Sequence, residues 1–564
     1  MTPHFNRDTL INCLFYWENK SPNKEWLIQP IDQAIKTYTW KEASETVRKL
    51  ANYLISLNFE PKSNIIIVGK NSAEWILADL AIMAAGHISV PVYYTINADN
   101  MGYIIEHSEA KLIVVGKLDG KTDSWPDIKQ AVPDALPKIT LPSAPVVSNS
   151  KSMESILDSF SPVAIQDLPL PKPEDLATII YTSGSTGRSK GVMHDSKNMI
   201  NAAKYANEIF NINPSDRILS YLPLAHTAER FLVETCSLYH GFHVYFANNL
   251  DTFLQDLQRA KPTIFFSVPR LWVKFQQGIG DKIPPNVQDM IFKVPVLSGM
   301  AKKFILKKLG LNHVRMGATG SAPLAPNVIS WYNKLGIEMQ EAYAMTENFA
   351  YSHLTRPGKP RLGSVGKACP FVECKLTDEG EILVKSPANM LGYYKDAEKT
   401  AESFDEDGFL RTGDMGKVDA DGYWFITGRV KDLFKTSKGK YISPVPIEQL
   451  LGNHPSTESV CVVGDNMNSP LGIVMISEES LAHINSSPEQ KQELTQSFTD
   501  LLSEINQKLE GHEKLSKLVL TTERWTIENG LFTPTLKIRR HEIERHYADK
   551  VSNWENIKQK IVWA

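Results

Sequence analysis

At residues 181–191 the chain reads Tyr-Thr-Ser-Gly-Ser-Thr-Gly-Arg-Ser-Lys-Gly, a stretch rich in glycine and hydroxyl side chains. Glycine lets the backbone approach a ligand closely and adopt positive φ angles, while hydroxyls, backbone N–H groups and a lysine can donate to phosphate oxygens. A flexible polar turn has the same composition, so the loop alone is weak evidence. The apolar residues 179–181 before it and Val192 and Met193 after it predict two strands, and this context favours a phosphate-binding loop.

The segment after the loop separates it from the common nucleotide-binding loop, which runs directly into a helix. Here a helical pattern begins only at Ser196, the predicted N-cap; its apolar positions are Met199, Ile200, Ala203, Ala206 and Phe210. Counting from Gly184, Ser189 stands where that loop needs a second glycine, and Gly191 follows Lys190 where Ser or Thr is required. A P-loop NTPase is therefore disfavoured.

Length and composition set the class of protein. A chain of 564 residues predicts two or more domains, and 42% hydrophobic with 22% charged residues is typical of a soluble globular protein. The formal net charge of -3 shows no electrostatic footprint for nucleic acid. The five scattered cysteines indicate neither a zinc site nor a disulfide framework and favour a reducing compartment. Asp8 and Glu18 interrupt the first twenty residues, so we expect no cleaved signal peptide.

The first part of the chain alternates helix and strand patterns. A capping box at Thr39 and Glu42 opens a helix, and strands are predicted at 64–68, 88–94 and 112–115, with a helix opened by Asn71 between the first two. This βαβ rhythm predicts an α/β fold with a largely parallel, helix-covered sheet. Residues 117–172 show little periodicity and are expected to follow the surface.

The predicted secondary-structure pattern changes twice in the second part of the chain. Residues 363–426 show short strands and turns, which predict a β-rich subdomain, and a smaller α+β pattern follows. We place the domain boundary near Lys431. The prediction is a large N-terminal domain, residues 1–430, carrying the nucleotide and acyl sites, and a small mobile C-terminal domain, residues 431–564.

The central loop closely resembles that of the adenylate-forming superfamily, which includes acyl-CoA synthetases, luciferases and peptide-synthetase adenylation domains. Its signature is Thr-Ser-Gly-Ser-Thr-Gly-x-x-Lys-Gly, and this chain departs from it only at Ser189, where proline is frequent. Four further segments resemble the same superfamily in its order, so the resemblance extends from about residue 38 to 540. It implies ATP and Mg²⁺ as the nucleotide and metal.

The resemblance implies a role for each matching residue of the N-terminal domain. An aromatic ring can stack on adenine, a hydroxyl can donate to the α-phosphate, and a carboxylate suits Mg²⁺ bridged to phosphates. Without the resemblance, residues 317–324 would be interpreted as a strand and turn before a helix. Thr346 and Glu347 would be interpreted as a solvated turn. The implied phosphate-binding residues are Thr182, Ser183, Gly184, Ser185, Thr186, Gly187 and Lys190; the adenine site is Gly320, Ser321, Ala322, Pro323 and Tyr343; Thr346 binds the α-phosphate and Glu347 the metal.

Residues nearer the C-terminus resemble the rest of the superfamily's site. Asp414 and Arg429 are implied ribose ligands, although an Asp after Gly is more often a turn residue. Lys537 is implied to be the mobile catalytic lysine, Lys431 the pivot, and Gly439 a point of close approach in the CoA channel. We expect Arg539 and Arg540 to form a solvated basic face or to contact a CoA phosphate.

Three segments resemble the long-chain fatty acyl-CoA synthetase branch: residues 221–230, 267–272 and 533–537. His226 resembles the residue between acyl tunnel and CoA channel, although a lone histidine is more often structural. Ala344 replaces a usual glycine, and its methyl group is expected to shorten or reshape the acyl pocket. Four aromatic residues line the acyl tunnel or form core: Phe246, Phe265, Phe266 and Trp272.

The resemblance implies an AMP-forming acid–thiol ligase. A fatty acid reacts with ATP to give acyl-AMP and pyrophosphate, and CoA then accepts the acyl group. Two alternatives stay open: an acyl-AMP ligase that loads an acyl-carrier protein, and a non-catalytic lipid or nucleotide sensor. We expect a cytoplasmic protein with fatty acid, ATP and CoA as its partners; peripheral membrane association, oligomeric state and chain-length preference stay open.

Overall fold

In the computed structural model, which describes residues 5–31, 34–118, 125–182, 188–484, 487–527, 529–533 and 537–564, the chain packs as two units. The first unit is Met1–Cys374 with Val384–Leu410, and the second is Lys375–Leu383 with Arg411–Ala564. The predicted boundary at Lys431 lies inside the second unit. That the C-terminal domain moves about this boundary stays a prediction.

The largest sheet of the first unit contains the two strands that flank the glycine-rich loop. Among the described residues it has eight strands, in spatial order Gly392–Tyr393, Lys190–Asp195, Leu176–Thr182, Ile88–Val92, Asn64–Val68, Leu112–Val115, Lys138–Thr140 and Ser150–Ser152. The pairings from Ile88–Val92 outward to Ser150–Ser152 are parallel, whereas the strands around the loop pair antiparallel. The prediction of a largely parallel, helix-covered sheet is confirmed. The last two strands correct the expectation that 117–172 only follow the surface; three-residue strands are too short to show a period.

Two smaller sheets complete the described strands of the first unit. One has the order Arg217–Ser220, His243–Phe246, Glu25–Ile31 and Ala34–Thr39. The other has the order Ile264–Ser267, Met316–Thr319, Met339–Tyr343, His353–Leu354 and Lys367–Ala368. Its first three strands are parallel, so their carboxyl ends meet at one edge. That edge carries both the 317–324 segment and the Tyr343 segment.

Helices cover these sheets and begin at side-chain caps. The capping box at Thr39 and Glu42 is confirmed. Two predicted caps were wrong by one residue, because the side chains that accept the third N–H belong to Ser72 and Asp195. The helices of the first unit's described part are Leu10–Lys20, Trp40–Ser56, Ala73–Ala84, Ala98–Ser108, Trp125–Ile128, Met153–Ser159, Ser196–Phe210, Thr227–Glu229, Cys236–His240, Phe253–Ala260, Pro269–Gly280, Pro285–Lys293, Pro295–Leu309, Pro326–Leu335 and Ala397–Glu402.

A buried ion pair ties the helix Ala73–Ala84 to the π-helical segment Arg230–Thr235. Nη2 of Arg230 lies 2.6 Å from Oδ2 of Asp79, and both side chains are fully buried. Nη1 of Arg230 also donates to Oγ1 of Thr178, 3.1 Å away in the central sheet. A charge inside a protein needs such partners, so this contact holds helix and sheet in one arrangement.

The second unit contains two sheets and a hairpin in its described residues. The first sheet has the order Glu373–Leu376, Glu381–Lys385, Leu410–Val418 and Trp424–Arg429, and the second Thr457–Val463, Leu471–Ile476, Leu518–Thr521 and Ile561–Trp563. The hairpin pairs Phe434–Lys435 with Tyr441–Ile442. The helices are Pro444–Gly452, Glu478–Ile484, Pro488–Lys508 and Arg540–Asn556. The expected β-rich texture followed by an α+β pattern is observed.

The apolar stretch 73–92 is a buried helix followed by a buried strand, as predicted. A search of the described helices finds none with the length and apolar character needed to span a bilayer. The five cysteines are free thiols.

Candidate functional site

The turn at Thr346 and Glu347 is held by the strand pair that follows the glycine-rich loop. The hydroxyl of Tyr393 donates to Oε1 of Glu347 at 2.8 Å, and the N–H of Met390 donates to the Glu347 carbonyl at 2.7 Å. Burial and the nearby carboxylate raise the pKa of Tyr393, so the phenol keeps its proton and remains a donor. The Glu347 carboxylate is therefore fixed in direction before any ligand binds.

A contact from the other strand of this pair, Lys190–Asp195, holds the other half of the turn. Nε2 of His194 lies 2.8 Å from the Thr346 carbonyl, and the ring is fully buried. Burial lowers the pKa of His194 to about 4, so the ring is neutral at physiological pH and donates from Nε2. Phe349 and Ala350, which follow the turn, have positive φ angles of 47° and 57°. Such strain persists only where neighbouring contacts hold it, and it clusters at functional sites.

Lys190 is brought to the same tyrosine. It begins the strand after the loop, opposite Thr182 in the antiparallel register, and its Nζ lies 5.1 Å from the centroid of the Tyr393 ring. One aromatic side chain thus contacts both the predicted phosphate lysine and the predicted metal carboxylate. The remaining predicted loop residues, 183–187 (Ser183, Gly184, Ser185, Thr186 and Gly187), lie outside the described residues.

The chemistry of Glu347 fits a magnesium ion. Mg²⁺ binds hard oxygen donors, commonly one or two carboxylates together with phosphate oxygens and water. Within the part of the chain that the structure describes, no three His, Cys, Asp or Glu side chains gather into a metal site of their own. A single oriented carboxylate near the predicted phosphate-binding lysine fits a metal held jointly by protein and nucleotide.

The predicted adenine segment lies at the carboxyl edge of the five-stranded sheet. Residues 321–323 follow the strand Met316–Thr319 and are exposed, as a ligand-contacting segment must be. A Cβ at Gly320 would lie 3.2 Å from the Ala342 carbonyl, so the two strand ends approach closely there. Tyr343 ends the adjacent strand, and its ring centroid is 5.6 Å from that of His353. The structure therefore brings Gly320, Ser321, Ala322 and Pro323 to the same edge as Tyr343.

In the second unit, Asp414 and Arg429 face each other across a β-hairpin. They are register partners in the strands Leu410–Val418 and Trp424–Arg429, and Nε of Arg429 lies 2.8 Å from Oδ1 of Asp414. The Asp414 side chain is only 12% exposed, whereas that of Arg429 is 51% exposed. A carboxylate oriented by a guanidinium can accept hydrogen bonds from two ribose hydroxyls.

Lys537 and Lys431, the predicted pivot residue, also belong to the second unit. The N–H of Lys537 donates to Oγ1 of Thr533 at 3.1 Å, and its carbonyl accepts from the Thr533 N–H at 2.8 Å. The Lys537 side chain is exposed. Lys431 is exposed in the short 3-10 turn Val430–Asp432. Gly439 has a φ of +76° in the hairpin turn, a conformation that favours glycine.

Arg540 corrects the prediction of a solvated basic face. Its Nη1 and Nη2 atoms each lie 2.8 Å from a carboxylate oxygen of Glu448, and its Nη1 donates to the Val462 carbonyl at 2.8 Å. Its Nε also lies 3.8 Å from Oδ2 of Asp432, next to the proposed pivot. Arg540 is therefore a structural anchor, whereas the side chain of Arg539 is 43% exposed.

His226 lies at the start of the helix Thr227–Glu229, where its Nδ1 accepts from the Ala228 N–H at 3.1 Å. The preceding loop is held by two buried polar residues that sequence reasoning missed as site residues. Asn71 accepts from the Leu224 N–H at 3.0 Å through Oδ1, and its Nδ2 lies 3.2 Å from Oε1 of Glu229. The same Glu229 oxygen accepts from the Tyr221 N–H at 2.9 Å. Burial raises the pKa of Glu229 to about 8.

The aromatic residues considered for the acyl tunnel are core. Phe246, Phe265 and Trp272 are fully buried, and Phe266 is 8% exposed. Trp272 packs edge-on against Phe265, with ring centroids 5.1 Å apart. Of the residues that sequence reasoning missed, Tyr393 had the clearest local signal, since Gly392, Tyr393 and Tyr394 form a compact motif. His194 had none, because its role depends on a turn 152 residues away.

Comparisons with known proteins agree along nearly the whole chain. The AMP-binding enzyme family model matches residues 14–394, and the AMP-binding enzyme C-terminal domain matches residues 431–556. The peroxisomal long chain acyl-CoA synthetase 7 of Arabidopsis thaliana is 30% identical over 586 residues, which covers 92% of this chain and 82% of that protein. Fatty acyl-CoA synthetase A of Dictyostelium discoideum is 30% identical over 572 residues, covering 91% of this chain and 85% of that protein.

Solved structures agree in fold. The adenylation domain of a carboxylate reductase from Mycobacterium chelonae has a TM-score of 0.79 at 20% identity, covering 97% of this chain and 91% of that chain. The anthranilate CoA ligase AuaEII, solved with anthranoyl-AMP, has a TM-score of 0.77 at 22% identity, covering 98% of this chain and 99% of that chain. The predicted α/β fold with large N-terminal and small C-terminal domains is confirmed. Because the first family model alone spans residues 14–394, the chain belongs to the AMP-binding enzyme family.

Proposed function

We propose that the protein is an ATP-dependent fatty acid:CoA ligase. In the first half-reaction, a fatty acid carboxylate attacks the α-phosphorus of ATP, the bond to the β-phosphate breaks, and pyrophosphate leaves. In the second, the thiol of CoA attacks the acyl carbonyl, a thioester forms, and AMP leaves. The acyl-adenylate is the product of the first half-reaction and the substrate of the second.

The observation that carries this proposal is that curated relatives named for fatty acyl-CoA synthesis align with more than nine-tenths of the chain. The geometry of the first unit supports it independently. Lys190, Glu347 and Tyr393 meet at one place, and Thr346 is anchored beside them. A lysine near an oriented carboxylate supports binding of a triphosphate together with a divalent ion.

Each predicted residue then has a physical task. Lys190 and the hydroxyls of Ser183, Ser185 and Thr186 bind the β- and γ-phosphates, and Thr346 donates to the α-phosphate. Asp414 and Arg429 bind the ribose hydroxyls. Lys537 offsets negative charge where an anionic carboxylate attacks an anionic phosphate, a role in which preorganised charge is worth several kcal/mol of barrier.

Glu347 is the proposed magnesium ligand, with Tyr393 fixing its carboxylate. When bound, the ion neutralises phosphate charge and polarises the phosphoryl oxygens. For the second half-reaction we propose that the C-terminal domain pivots at Lys431, which withdraws Lys537 and places Gly439 along the CoA channel. His226 is proposed to lie between the acyl and CoA paths, oriented by the Asn71–Glu229 contact.

The test is an assay of the purified protein with oleate, ATP, Mg²⁺ and CoA, followed by a panel of acids of different chain length. We expect acyl-CoA, AMP and pyrophosphate in equal amounts with CoA as the only acceptor. Acyl transfer only to an acyl-carrier protein would instead identify a carrier-loading ligase. Absence of acid-dependent pyrophosphate release across the panel would indicate a non-catalytic sensor. We further propose a cytoplasmic location at the inner face of a membrane.

A further inference from the structure

The helical hairpin formed by Pro285–Lys293 and Pro295–Leu309 presents large apolar side chains to solvent. Isolated exposed apolar residues are common, but a cluster on one short segment marks an interaction site. The exposed fractions of these side chains are 63% for Met290, 75% for Val296, 53% for Leu297, 67% for Met300 and 57% for Phe304.

The outward face of Pro295–Leu309 is distinct from the face that packs on the protein. Val296, Leu297, Met300 and Phe304 recur at helical spacing on one side. Ile305 and Leu309 lie on the opposite side, where they are buried in the same core cluster as Trp272. The helix is therefore apolar on both sides, and only one side has a partner among the described residues.

Basic residues accompany the outward apolar face. Residues 270–309 contain eight lysine and arginine side chains and two aspartates, a net charge of +6 in a chain whose net charge is -3. Lys303, Lys307 and Lys308 are exposed and lie on the same helix as Met300 and Phe304. A local excess of positive charge therefore lies beside the exposed apolar patch.

We propose that this hairpin, residues 285–309, docks the protein on an anionic lipid bilayer. Apolar side chains enter the boundary between headgroups and acyl chains, while lysines contact lipid phosphates. The helix Pro295–Leu309 has 15 residues, fewer than a span requires, so it lies in the plane of the surface. An isologous contact between two copies would bring two strongly basic surfaces together, which disfavours a dimer on this face. The surface goes beyond the proposed reaction and does not depend on it.

The test is co-sedimentation of the full-length protein with vesicles of phosphatidylcholine alone or mixed with phosphatidylglycerol. We expect binding to the mixed vesicles that weakens as NaCl rises from about 0.1 M to about 0.5 M. Lys303→Gln with Lys307→Gln should reduce partitioning roughly thirtyfold. Met300→Ser with Phe304→Ser should reduce it about tenfold or more.

Matched controls alter equally exposed residues elsewhere. Val146→Ser with Leu250→Ser changes two apolar side chains that are 98% and 87% exposed, and Lys558→Gln with Lys560→Gln removes two exposed charges. Both controls should bind mixed vesicles as the wild type does. The proposal is overturned if wild type shows no preference for anionic vesicles, or if the controls lose as much binding. It is equally overturned if light scattering shows a dimer that only the Met300/Phe304 variant dissolves, without vesicle binding.

Discussion

At the scale of single residues, Tyr393 contacts two predicted site residues, Glu347 and Lys190, that lie far apart in the sequence. Its hydroxyl donates to Glu347, and its ring contacts Lys190. A hydrogen bond to a charged group contributes about 1.5–3 kcal/mol, which is enough to orient a carboxylate toward a metal. The tyrosine acts through these two side chains and is therefore a positioning residue.

Replacing Tyr393 by Phe keeps the ring against Lys190 and removes only the hydroxyl. We expect kcat/KM for Mg-ATP to fall about tenfold, with a higher magnesium requirement and an unchanged KM for CoA. The matched control is Tyr394→Phe, because that hydroxyl accepts from Nδ2 of Asn64 at 3.1 Å instead. Steady-state kinetics across magnesium concentrations measures both. Equal effects of the two variants would contradict the positioning role.

A second residue-scale prediction concerns Glu229, whose pKa is raised to about 8 mainly by burial. The folded state holds this proton more tightly than the unfolded chain does, so the free energy of unfolding should decrease as pH rises from about 4.5 to 8, by up to roughly 5 kcal/mol. Glu229→Gln, which mimics the protonated acid, should flatten this part of the pH profile. Urea unfolding at several pH values provides the measurement, and an unchanged slope would show that Glu229 does not titrate there.

At the scale of secondary-structure elements, the contacts of Arg540 hold the start of its helix against two other elements of the second unit. Arg540 begins the helix Arg540–Asn556, yet its side chain reaches Glu448 on the helix Pro444–Gly452 and the Val462 carbonyl on a strand. Three elements of the second unit thus converge on one guanidinium. The loop that ends at Lys537 lies directly before this anchor.

Arg540→Ala should lower the free energy of unfolding by about 3 kcal/mol, because it leaves the carboxylate of Glu448 largely buried without its partner. Arg539→Ala removes a neighbouring, half-exposed arginine and should change stability by less than about 1 kcal/mol. Thermal and urea unfolding of both variants test the difference. If Arg539→Ala were the more damaging, the assignment of the anchor would be wrong.

At the scale of the whole molecule, the predicted site residues divide between the two units. Lys190, Thr346 and Glu347 belong to the first, whereas Asp414, Arg429 and Lys537 belong to the second. The proposed chemistry therefore needs both units, and a pivot would let them serve two half-reactions in turn. Lys431, exposed in a short turn, is the proposed pivot.

Lys537→Ala separates the half-reactions experimentally. We expect adenylation, measured as fatty-acid-dependent pyrophosphate exchange, to fall by a factor of roughly 10² to 10³. Thioester formation from supplied acyl-AMP and CoA should change little, because Lys537 serves only the first step. Lys537→Arg, which keeps the charge, should recover part of the adenylation rate. Equal losses in both half-reactions would remove the role assigned to this lysine.

The local sequence pattern was sufficient to predict many of the secondary-structure elements of this protein. The capping box at Thr39, the strand Asn64–Val68 and the helix Pro488–Lys508 each follow from hydrophobic period and terminal residues alone. The two cap errors arose because Asn71 and Ser196 are residue types that often cap helices, while the adjacent Ser72 and Asp195 supply the actual caps. Asn71 instead uses its amide to hold the loop before His226, a role that no local pattern reveals.

The sequence by itself determined the fold class and the family and predicted the nucleotide-site residues, because each depends on residue types at fixed spacing. The glycine-rich stretch around Lys190 could be recognised as the superfamily's signature loop without knowledge of any tertiary contact. Only the tertiary structure decided which side chains hold that site in place. His194, Tyr393 and Arg540 contact residues between 46 and 203 positions away, and such distances are set by the packing of sheets and helices. The same is true of the hairpin 285–309, whose apolar side chains the fold leaves exposed.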